Sequence, residues 1–279
     1  MNQTSPPPTP PPSTSGPPAA PLPPAAARVP AAAPSPPRPN PTVTHRGEDT
    51  SWYQPLLWIG GQIFSRIASL LIFRLRVFDV RHVPAAKGQP ALLITNHQSF
   101  LDPWLIAIAP GRQIHYMARD TLFQGGFMHW MMETHNTFPV KRGHGDRASI
   151  RVAAERLEKG YIVNIFPEGT RSLDGTIGPI APGLSLILRG CKRPVPVIPV
   201  LIDGAFEAWP RTKKLPRPHA IKVIYGSPIT PEEIAGLSAG ELAVRIRREL
   251  VALQAKVGSV HAEASARRLA TEGSERPRV

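Results

Sequence analysis

Cysteine is almost missing from this sequence, which contains one, Cys191, among 279 residues. A single cysteine excludes an intrachain disulfide and any zinc or redox site built on paired Cys-x-x-Cys motifs. We interpret Cys191, which stands beside Lys192, as an ordinary core or surface residue rather than a catalytic thiol.

Acidic residues are scarce: 20 Asp and Glu stand against 33 Lys and Arg, which gives a net charge of +13. A surplus of this size predicts an anionic partner, which could be nucleic acid, an anionic membrane surface or a phosphorylated substrate. No zinc-finger or RNP-type motif is present and the basic residues are dispersed, so we expect no nucleic-acid partner. One candidate basic patch exists, although a solvated loop explains each member equally well: Arg211, Lys213, Lys214 and Arg217.

Long apolar runs are also missing. The stretch Ser51–Ser65 has no charged side chain, but it contains Gln62 and two glycines, and Arg66 follows it. A membrane-spanning helix needs about 20 mostly apolar residues, so we predict no span. The first fifty residues hold 17 of the 35 prolines and no acidic residue before Glu48, which predicts a disordered tail over 1–50.

An amphipathic helix is predicted from Leu56 to Val77. Its apolar positions fall within one broad stripe: Leu56, Ile59, Ile63, Ile67, Leu70 and Leu71. Two interpretations stand at this point. The stripe could pack into a core, or the helix could lie in a membrane interface, since Trp58 is at one end and arginines are at the other.

From Pro90 onwards, short apolar strands alternate with helices. The predicted strands are Ala91–Thr95, Tyr161–Phe166, Val195–Leu201 and Ile221–Tyr225. The predicted helices are Trp104–Ala109, Arg147–Lys159 and one that starts after a Ser238/Glu241 capping box and ends near Val257. This alternation predicts an α/β fold with a mixed, largely parallel sheet flanked by helices.

A histidine and an aspartate stand five positions apart where the first predicted strand ends. Asp102-Pro103 has the pattern of a helix cap followed by a proline at the first helical position. On a continuous helix the His97 and Asp102 side chains would point about 140° apart, so they meet only if the chain turns between them. Asp102 could then fix the tautomer of His97 while the other ring nitrogen takes a proton. On these residues alone, a capping Asp102 and a loop His97 are the simpler interpretation.

The block Phe166–Ser172 follows a predicted buried strand. Gly169 allows backbone N–H groups to approach an anion, and Arg171 offers a planar fork that matches phosphate oxygens. Glu168 is expected to orient Arg171 or to accept a hydrogen bond from a substrate hydroxyl. A polar turn with a surface salt bridge is the alternative.

Two further blocks are less specific. Thr137–Arg142 is a short extended stretch that ends in two cations, and a solvated basic turn would have the same sequence. Val195–Val200 contains two prolines that cannot donate to a ladder, so we predict an edge or irregular strand. Its apolar side chains suit an acyl-chain groove and ordinary core packing equally well.

These four blocks, in this order, resemble those of the lysophosphatidate acyltransferase (1-acylglycerol-3-phosphate O-acyltransferase) family of glycerophospholipid acyltransferases. The hallmarks of that family are NHxSxxD, a short block ending in Arg, FPEGTRS and a VPVxPV-like strand. They correspond here to Asn96–Asp102, Phe138–Arg142, Phe166–Ser172 and Val195–Val200. The resemblance covers about residues 81–230. Pro139-Val140-Lys141 replaces the commoner Ile-Asp-like residues, which bears on the choice of acceptor.

The resemblance implies a role for each matching residue. His97 would be the general base and Asp102 its orienter, and the acceptor would attack the thioester of acyl-CoA or acyl carrier protein directly. Neither a cofactor nor a metal would be needed. The substrate-binding residues would be Arg142, Glu168, Gly169, Thr170 and Arg171, with Asn96, Ser99 and Lys141 as supporting residues. The remaining histidines of this region are interpreted as loop and surface residues: His115, His129, His135 and His144.

The resemblance also favours the membrane interpretation of the N-terminal helix, because the acceptor would be a lipid. We therefore divide the chain into a disordered tail (1–50), a membrane-interface helical segment (51–80), a glycerolipid acyltransferase-like catalytic domain (81–260) and a flexible C-terminal tail (261–279). The expected partners are a lysophospholipid acceptor, an acyl donor and an anionic membrane surface. The expected location is peripheral or monotopic, on the cytoplasmic face of a membrane.

The expected product is phosphatidate, which serves phospholipid biosynthesis. Two alternatives stay open. The same chemistry could act on another lysolipid, either a lysophospholipid or an acylated amino-acid lipid, although an acceptor without phosphate would leave Arg171 without its partner. The chain could also be a non-enzymatic basic protein that binds membranes or nucleic acid.

Overall fold

The computed structural model describes residues 63, 66–67, 69–119, 137–140 and 147–274. The chain divides into two compact units, Met1–Thr50 and Ser51–Val279, and every described residue belongs to the second. The predicted tail over 1–50 and the start of the predicted N-terminal helix, 56–62, lie outside the described residues.

A seven-stranded sheet forms the centre of the described part, with the strand order β1-β7-β6-β2-β5-β3-β4. The strands are β1 Arg76–Phe78, β2 Ala91–Thr95, β3 Ile114–Arg119, β4 Thr137–Val140, β5 Ile162–Ile165, β6 Val197–Asp203 and β7 Lys222–Tyr225. Neighbouring strands are parallel except for β6 and β7, which are antiparallel. The predicted mixed, largely parallel sheet is therefore confirmed.

Helices cover both faces of this sheet. They are α1 Asp102–Ala107, α2 Arg147–Glu158, α3 Leu184–Arg189, α4 Ala205–Ala208, α5 Pro231–Ala235, α6 Ala239–Lys256 and α7 Ala262–Ser274. In β2 the side chains alternate between the faces: Leu92 and Ile94 join the core under α2, α3 and α6, whereas Leu93 joins the core under α1 and α4. The predicted capping box of Ser238 and Glu241 opens α6.

Strand β6 is central, which corrects the prediction of an edge or irregular strand. It lies between β2 and β7, and all of its residues are buried. The Pro199 carbonyl accepts from the Gly226 N–H at 2.7 Å, just past the end of β7. In a strand, the nitrogen and carbonyl of one residue face the same side, so the proline nitrogen faces the end of the β7 ladder and not β2. These apolar side chains pack in the core.

The N-terminal helix ends four residues earlier than predicted. Its described helical residues are 63, 66–67 and 69–73. Arg74 has a left-handed backbone with φ of 42°, which stops the helix, and the chain then enters β1 at Arg76. The predicted extension to Val77 is wrong because Val77 pairs with Val223 of β7.

The apolar stripe of this helix points away from the protein. Its exposed side chains are Ile63, Ile67, Leu70, Leu71 and Ile72. Ser69 and Phe73 are buried instead, and the Arg66 guanidinium donates to the Ile108 carbonyl at the end of α1, at 2.9 and 3.0 Å. The core-packing interpretation is therefore wrong for the described members of the stripe, Ile63, Ile67, Leu70 and Leu71. None of the described helices is long and apolar enough to cross a bilayer.

Helix α7 replaces most of the flexible tail that we predicted over 261–279. Ser265 Oγ accepts from the Ile177 N–H at 3.1 Å, and Arg268 contacts Asp174 Oδ2 at 3.2 Å and Thr176 Oγ1 at 2.5 Å. These bonds tie α7 to the turn formed by residues 174–177, so 262–274 is an ordered element.

Candidate active site

The candidate site lies at the sheet edge where β2 and β5 end. The two strands are parallel neighbours, so the loops that follow them emerge side by side. Thr95 Oγ1 donates to Asn164 Oδ1 at 2.6 Å and joins the two strand ends. The Asn96 amide exchanges hydrogen bonds with the backbone of Ile202 in β6, at 2.9 and 2.8 Å. The start of the loop after β2 is thereby fixed to two other strands.

The turn between β2 and α1 brings His97 and Asp102 together. The Nδ1–H of His97 donates to Asp102 Oδ2 over 2.7 Å. The same oxygen accepts the backbone N–H groups of Gln98 and Ser99, at 2.6 and 2.8 Å. The Asp102 side chain has no exposed surface, whereas 21% of the His97 side chain is exposed. His97 Nε2 is therefore the ring nitrogen that is left to accept a proton from a substrate.

Asp102 is not the helix cap that its position before Pro103 suggested. Leu101 is the N-cap of α1, and Asp102 is the first helical residue. Its carboxylate points back to the preceding loop because three N–H donors converge on Oδ2 there. The other oxygen, Oδ1, is buried and has no hydrogen-bond partner among the described residues.

The ring of His97 is held by a second contact. It stacks on Phe166, with ring centroids 4.2 Å apart and an interplanar angle of 23°. Because Phe166 directly follows β5, both loops of the site fix the imidazole. The ring therefore has a defined orientation as well as a defined tautomer.

Glu168 connects the two loops of the site, a role beyond the one predicted for it toward Arg171 or a substrate hydroxyl. Its Oε1 accepts from the backbone N–H of His97 at 3.0 Å, and its Oε2 accepts from that of Gly178 at 3.1 Å. Burial raises the pKa of the Glu168 carboxyl above its usual value, and the two N–H donors oppose this shift. Sequence reasoning missed this role because the three residues are far apart in the chain.

The predicted anion-binding residues follow Glu168 on the same loop. Gly169 has a left-handed backbone with φ of 66°, a conformation that favours glycine. Gly169 and Thr170 are exposed, and the Arg171 guanidinium lies 3.5 Å from the centroid of the Phe100 ring. The Ser172 N–H donates to the His97 carbonyl at 2.7 Å. The residue that follows Arg171 is therefore bonded directly to the loop that carries His97.

Gln98 is a further residue of this loop that the sequence analysis did not single out. It is buried; its Nε2 donates to the Gly175 carbonyl at 3.0 Å, and its Oε1 accepts from the Phe206 N–H at 3.3 Å. Ser99 Oγ donates to the Trp209 carbonyl at 2.9 Å. Asn96, Gln98 and Ser99 therefore position the loop on which His97 stands.

Other predicted residues lie elsewhere. Lys141, Arg142, His129, His135 and His144 are outside the described residues. His115 is not a surface residue as expected: it is buried in β3, where it stacks on Tyr161 and accepts from Arg156 at 2.6 Å. Within the described ranges, no group of three or more His, Cys, Asp and Glu side chains could hold a metal ion.

Cys191 lies far from the chemistry of the site and should react slowly. Burial and the nearby Glu158 raise the pKa of its thiol to about 11. At neutral pH only about one thiol in ten thousand is then ionised, and the thiolate is the reactive form. We expect iodoacetamide to alkylate Cys191 roughly 10²-fold more slowly than free cysteine, as followed by mass spectrometry. The same chain unfolded in urea is the control, and equal rates in the two states would contradict the prediction.

Comparisons with known proteins agree with this geometry. A family model described as Acyltransferase matches residues 74–203, which include His97, Asp102 and the loop from Phe166 to Ser172. The fold resembles the crystal structure of the 1-acyl-sn-glycerophosphate acyltransferase PlsC from Thermotoga maritima, with a TM-score of 0.58 and 22% identity over 71% of this chain and 78% of that one. This structural likeness shows the fold.

Curated relatives match about 60% of this chain. A 1-acyl-sn-glycerol-3-phosphate acyltransferase of Bacillus subtilis is 29% identical over 60% of this chain and 79% of its own length. A chloroplastic enzyme of that name from Brassica napus is 27% identical over 60% of this chain, and the alignment spans about half, 48%, of the plant protein. The family model matches 130 of the 279 residues, and the resemblance to the lysophosphatidate acyltransferase family that the four motifs indicated is confirmed.

Proposed function

We propose that this chain transfers a fatty acyl group from acyl-CoA or acyl carrier protein to the free hydroxyl of 1-acylglycerol-3-phosphate, forming phosphatidate. The observation that carries the proposal is the 2.7 Å contact of His97 with the buried Asp102. This pair stands beside a loop that presents Gly169 and Arg171. The names of several relatives state the same reaction class.

In the proposed mechanism, His97 Nε2 removes the proton of the acceptor hydroxyl as the hydroxyl oxygen attacks the thioester carbonyl carbon. The resulting tetrahedral intermediate collapses, the carbon–sulfur bond breaks, and the imidazolium returns its proton to the leaving thiolate. Asp102 stabilises the imidazolium between these steps because its carboxylate is buried and in direct contact with Nδ1. No acyl-enzyme forms in this scheme.

The acceptor phosphate would bind on the Glu168–Ser172 loop. The exposed Thr170 and the planar guanidinium of Arg171 suit phosphate oxygens, and Gly169, whose N–H donates to the Phe166 carbonyl at 3.1 Å, shapes the turn between them and Glu168. Arg142 is proposed as a second cation for the same group. Glu168 would keep this loop in register with the base, because it bonds the His97 and Gly178 backbones.

An acceptor panel tests the function. The full chain in detergent micelles would receive lysophosphatidate, lysophosphatidylcholine or an acylated amino-acid lipid, each with acyl-CoA and with acyl carrier protein, and mass spectrometry would identify the products. We expect phosphatidate from lysophosphatidate with at least one donor. Faster acylation of another acceptor would overturn the assigned substrate, and no product from any pair would overturn the enzymatic proposal.

The proposal includes work at a membrane surface. Five aliphatic side chains of the N-terminal helix are exposed, up to 77% in Leu71, while Arg66, at the margin of this row, fastens the helix to the end of α1. A row of this kind is unfavourable in water and suits the boundary between headgroups and acyl chains.

Two aspartates in this row should weaken membrane binding. We expect Leu70→Asp/Leu71→Asp to lower vesicle partitioning roughly tenfold or more, because each buried leucine contributes about 1.5–3 kcal/mol. Co-sedimentation with phospholipid vesicles measures the partitioning of each variant. Val244→Asp, at another exposed aliphatic position, on α6, is the matched control. Unchanged co-sedimentation of the double variant would refute an interfacial helix.

A further inference from the structure

The connection between α4 and β7 is an ordered loop, here called the basic loop, residues 209–219. Arg217 closes its base, because its N–H donates to the Ala208 carbonyl at 2.8 Å and its Nε donates to the Glu207 carbonyl at 2.6 Å. Inside the loop, Trp209 Nε1 donates to the Lys213 carbonyl at 3.0 Å. The tip is therefore held in a defined shape.

The side chains of the basic loop combine charge and apolar surface. Residues 211–218 are all exposed, and the loop contains no acidic residue. Its four cations are Arg211, Lys213, Lys214 and Arg217. Leu215 stands among them with 79% of its surface exposed. Water does not favour an aliphatic side chain held in this way, and the neighbouring cations exclude a role as a core residue.

The topology places the basic loop at the same sheet edge as His97. Because β7 is antiparallel to β6, with Lys222 opposite Asp203, the chain returns to the sheet at the edge where β6 ends. The first residue of the basic loop contacts the turn between β2 and α1. The Phe100 ring, 56% exposed, has its centroid 5.5 Å from that of the Trp209 ring.

The N-terminal helix ends at this edge as well. The N–H of Ile221, just after the basic loop, donates to the carbonyl of Phe73, the last helical residue, at 2.9 Å. The C-terminal end of this helix, the basic loop and the turn that carries His97 therefore lie at the same edge of the sheet.

We propose that the basic loop is a second membrane contact, in which Leu215 enters the headgroup boundary of an anionic bilayer and the four cations bind its lipid phosphates. The inference rests on the proposed function, since it gives a lipid acceptor a short path from the bilayer to His97. A bilayer fits better than the acidic surface of a donor protein because the charge is combined with the exposed Leu215 and Phe100, and because the helix with the exposed apolar row ends at the same edge of the sheet.

Charge reversal at two positions tests the inference on the full chain. Each cation near an anionic leaflet contributes about 1 kcal/mol, or about fivefold in partitioning. Lys213→Glu/Lys214→Glu should therefore bind vesicles of equal parts phosphatidylcholine and phosphatidylglycerol at least roughly 25-fold more weakly. Leu215→Asp should weaken binding to the same vesicles several-fold. A smaller change is expected on pure phosphatidylcholine for the lysine variant.

The matched control is Lys87→Glu/Lys159→Glu, which changes the net charge equally. These exposed lysines precede β2 and β5, at the opposite edge of the sheet, so vesicle binding should stay near that of the parent protein. Equal losses in the control and loop variants would overturn the inference.

Turnover in detergent micelles separates the remaining outcomes. The loop variants should keep the parent's KM for the acyl donor. Unchanged vesicle binding with a raised donor KM would overturn the membrane contact and assign the loop to the donor. An inactive parent protein whose vesicle binding still depends on the loop would refute the proposed function and leave the membrane contact intact.

Discussion

Replacing His97 by alanine is expected to lower kcat/KM for acyl transfer by roughly 10²–10⁴-fold, the usual contribution of a positioned general base. Nδ1 is already engaged by Asp102, so Nε2 is the ring atom that would take the substrate proton. Initial rates with lysophosphatidate and acyl-CoA in detergent micelles measure the effect. The variant should still bind vesicles, because His97 does not belong to either exposed apolar surface.

His82→Ala is the matched control for this variant. His82 bonds to the Tyr225 carbonyl at 2.8 Å, at the end of β7 opposite the site, so its loss should leave turnover close to that of the parent protein. Undiminished turnover in His97→Ala would remove the assigned base.

Asp102→Asn is expected to lower kcat by roughly 10²–10⁴-fold with little change in KM. An asparagine can place its carbonyl oxygen where Oδ2 accepts three N–H groups, so the loop should keep its shape. The substitution removes the negative charge of Asp102, which stabilises the His97 imidazolium. Water cannot replace it because the Asp102 side chain is fully buried. Steady-state kinetics over a range of acceptor concentrations separate the two constants.

Asp79→Asn provides the comparison for the charge change itself. Asp79 has a left-handed backbone with φ of 55°, which asparagine tolerates, and it lies in the turn after β1. The Asp79→Asn variant should have the same kcat as the parent protein. Parent-like kcat in Asp102→Asn, with an unchanged thermal midpoint, would show that the carboxylate does not support the base.

The sequence predicted the parts of the fold that short-range patterns determine. Apolar runs gave β2, β5 and β7 within one or two residues, and the Ser238/Glu241 capping box located the start of α6. We predicted that His97 and Asp102 would be in contact only if the chain turned between β2 and α1, and the structure has that turn. In each case the deciding interactions lie within a few residues of one another.

The failures come from contacts between distant parts of the chain. We assigned Pro199 to an edge strand because the sequence shows that proline lacks an N–H donor. The sequence does not show that the β7 ladder ends next to Pro199. The two amide partners of Glu168 are 71 and 10 residues away. The apolar stripe of the N-terminal helix faces outward because Arg66 bonds the Ile108 carbonyl and Phe73 packs on Trp104 of α1, contacts between residues far apart in the chain.

Helix α7 was missed for a different reason. The side that faces the protein carries Ser265 and the partly buried Leu269, not a row of large aliphatic residues, so hydrophobic periodicity is weak. Its attachment depends on polar bonds to residues 174–177 and on Arg247, which pairs with Glu272. Polar attachments of this kind leave no periodic signal.

The position of α7 in the chain gives the enzyme an order of completion during synthesis. Ribosomes would deliver all seven strands before residues 262–274 emerge, and the 174–177 turn that receives Ser265 and Arg268 is the one whose Gly175 carbonyl holds Gln98 beside His97. Docking of α7 on this turn would therefore help to hold Gln98, and with it the loop that carries His97.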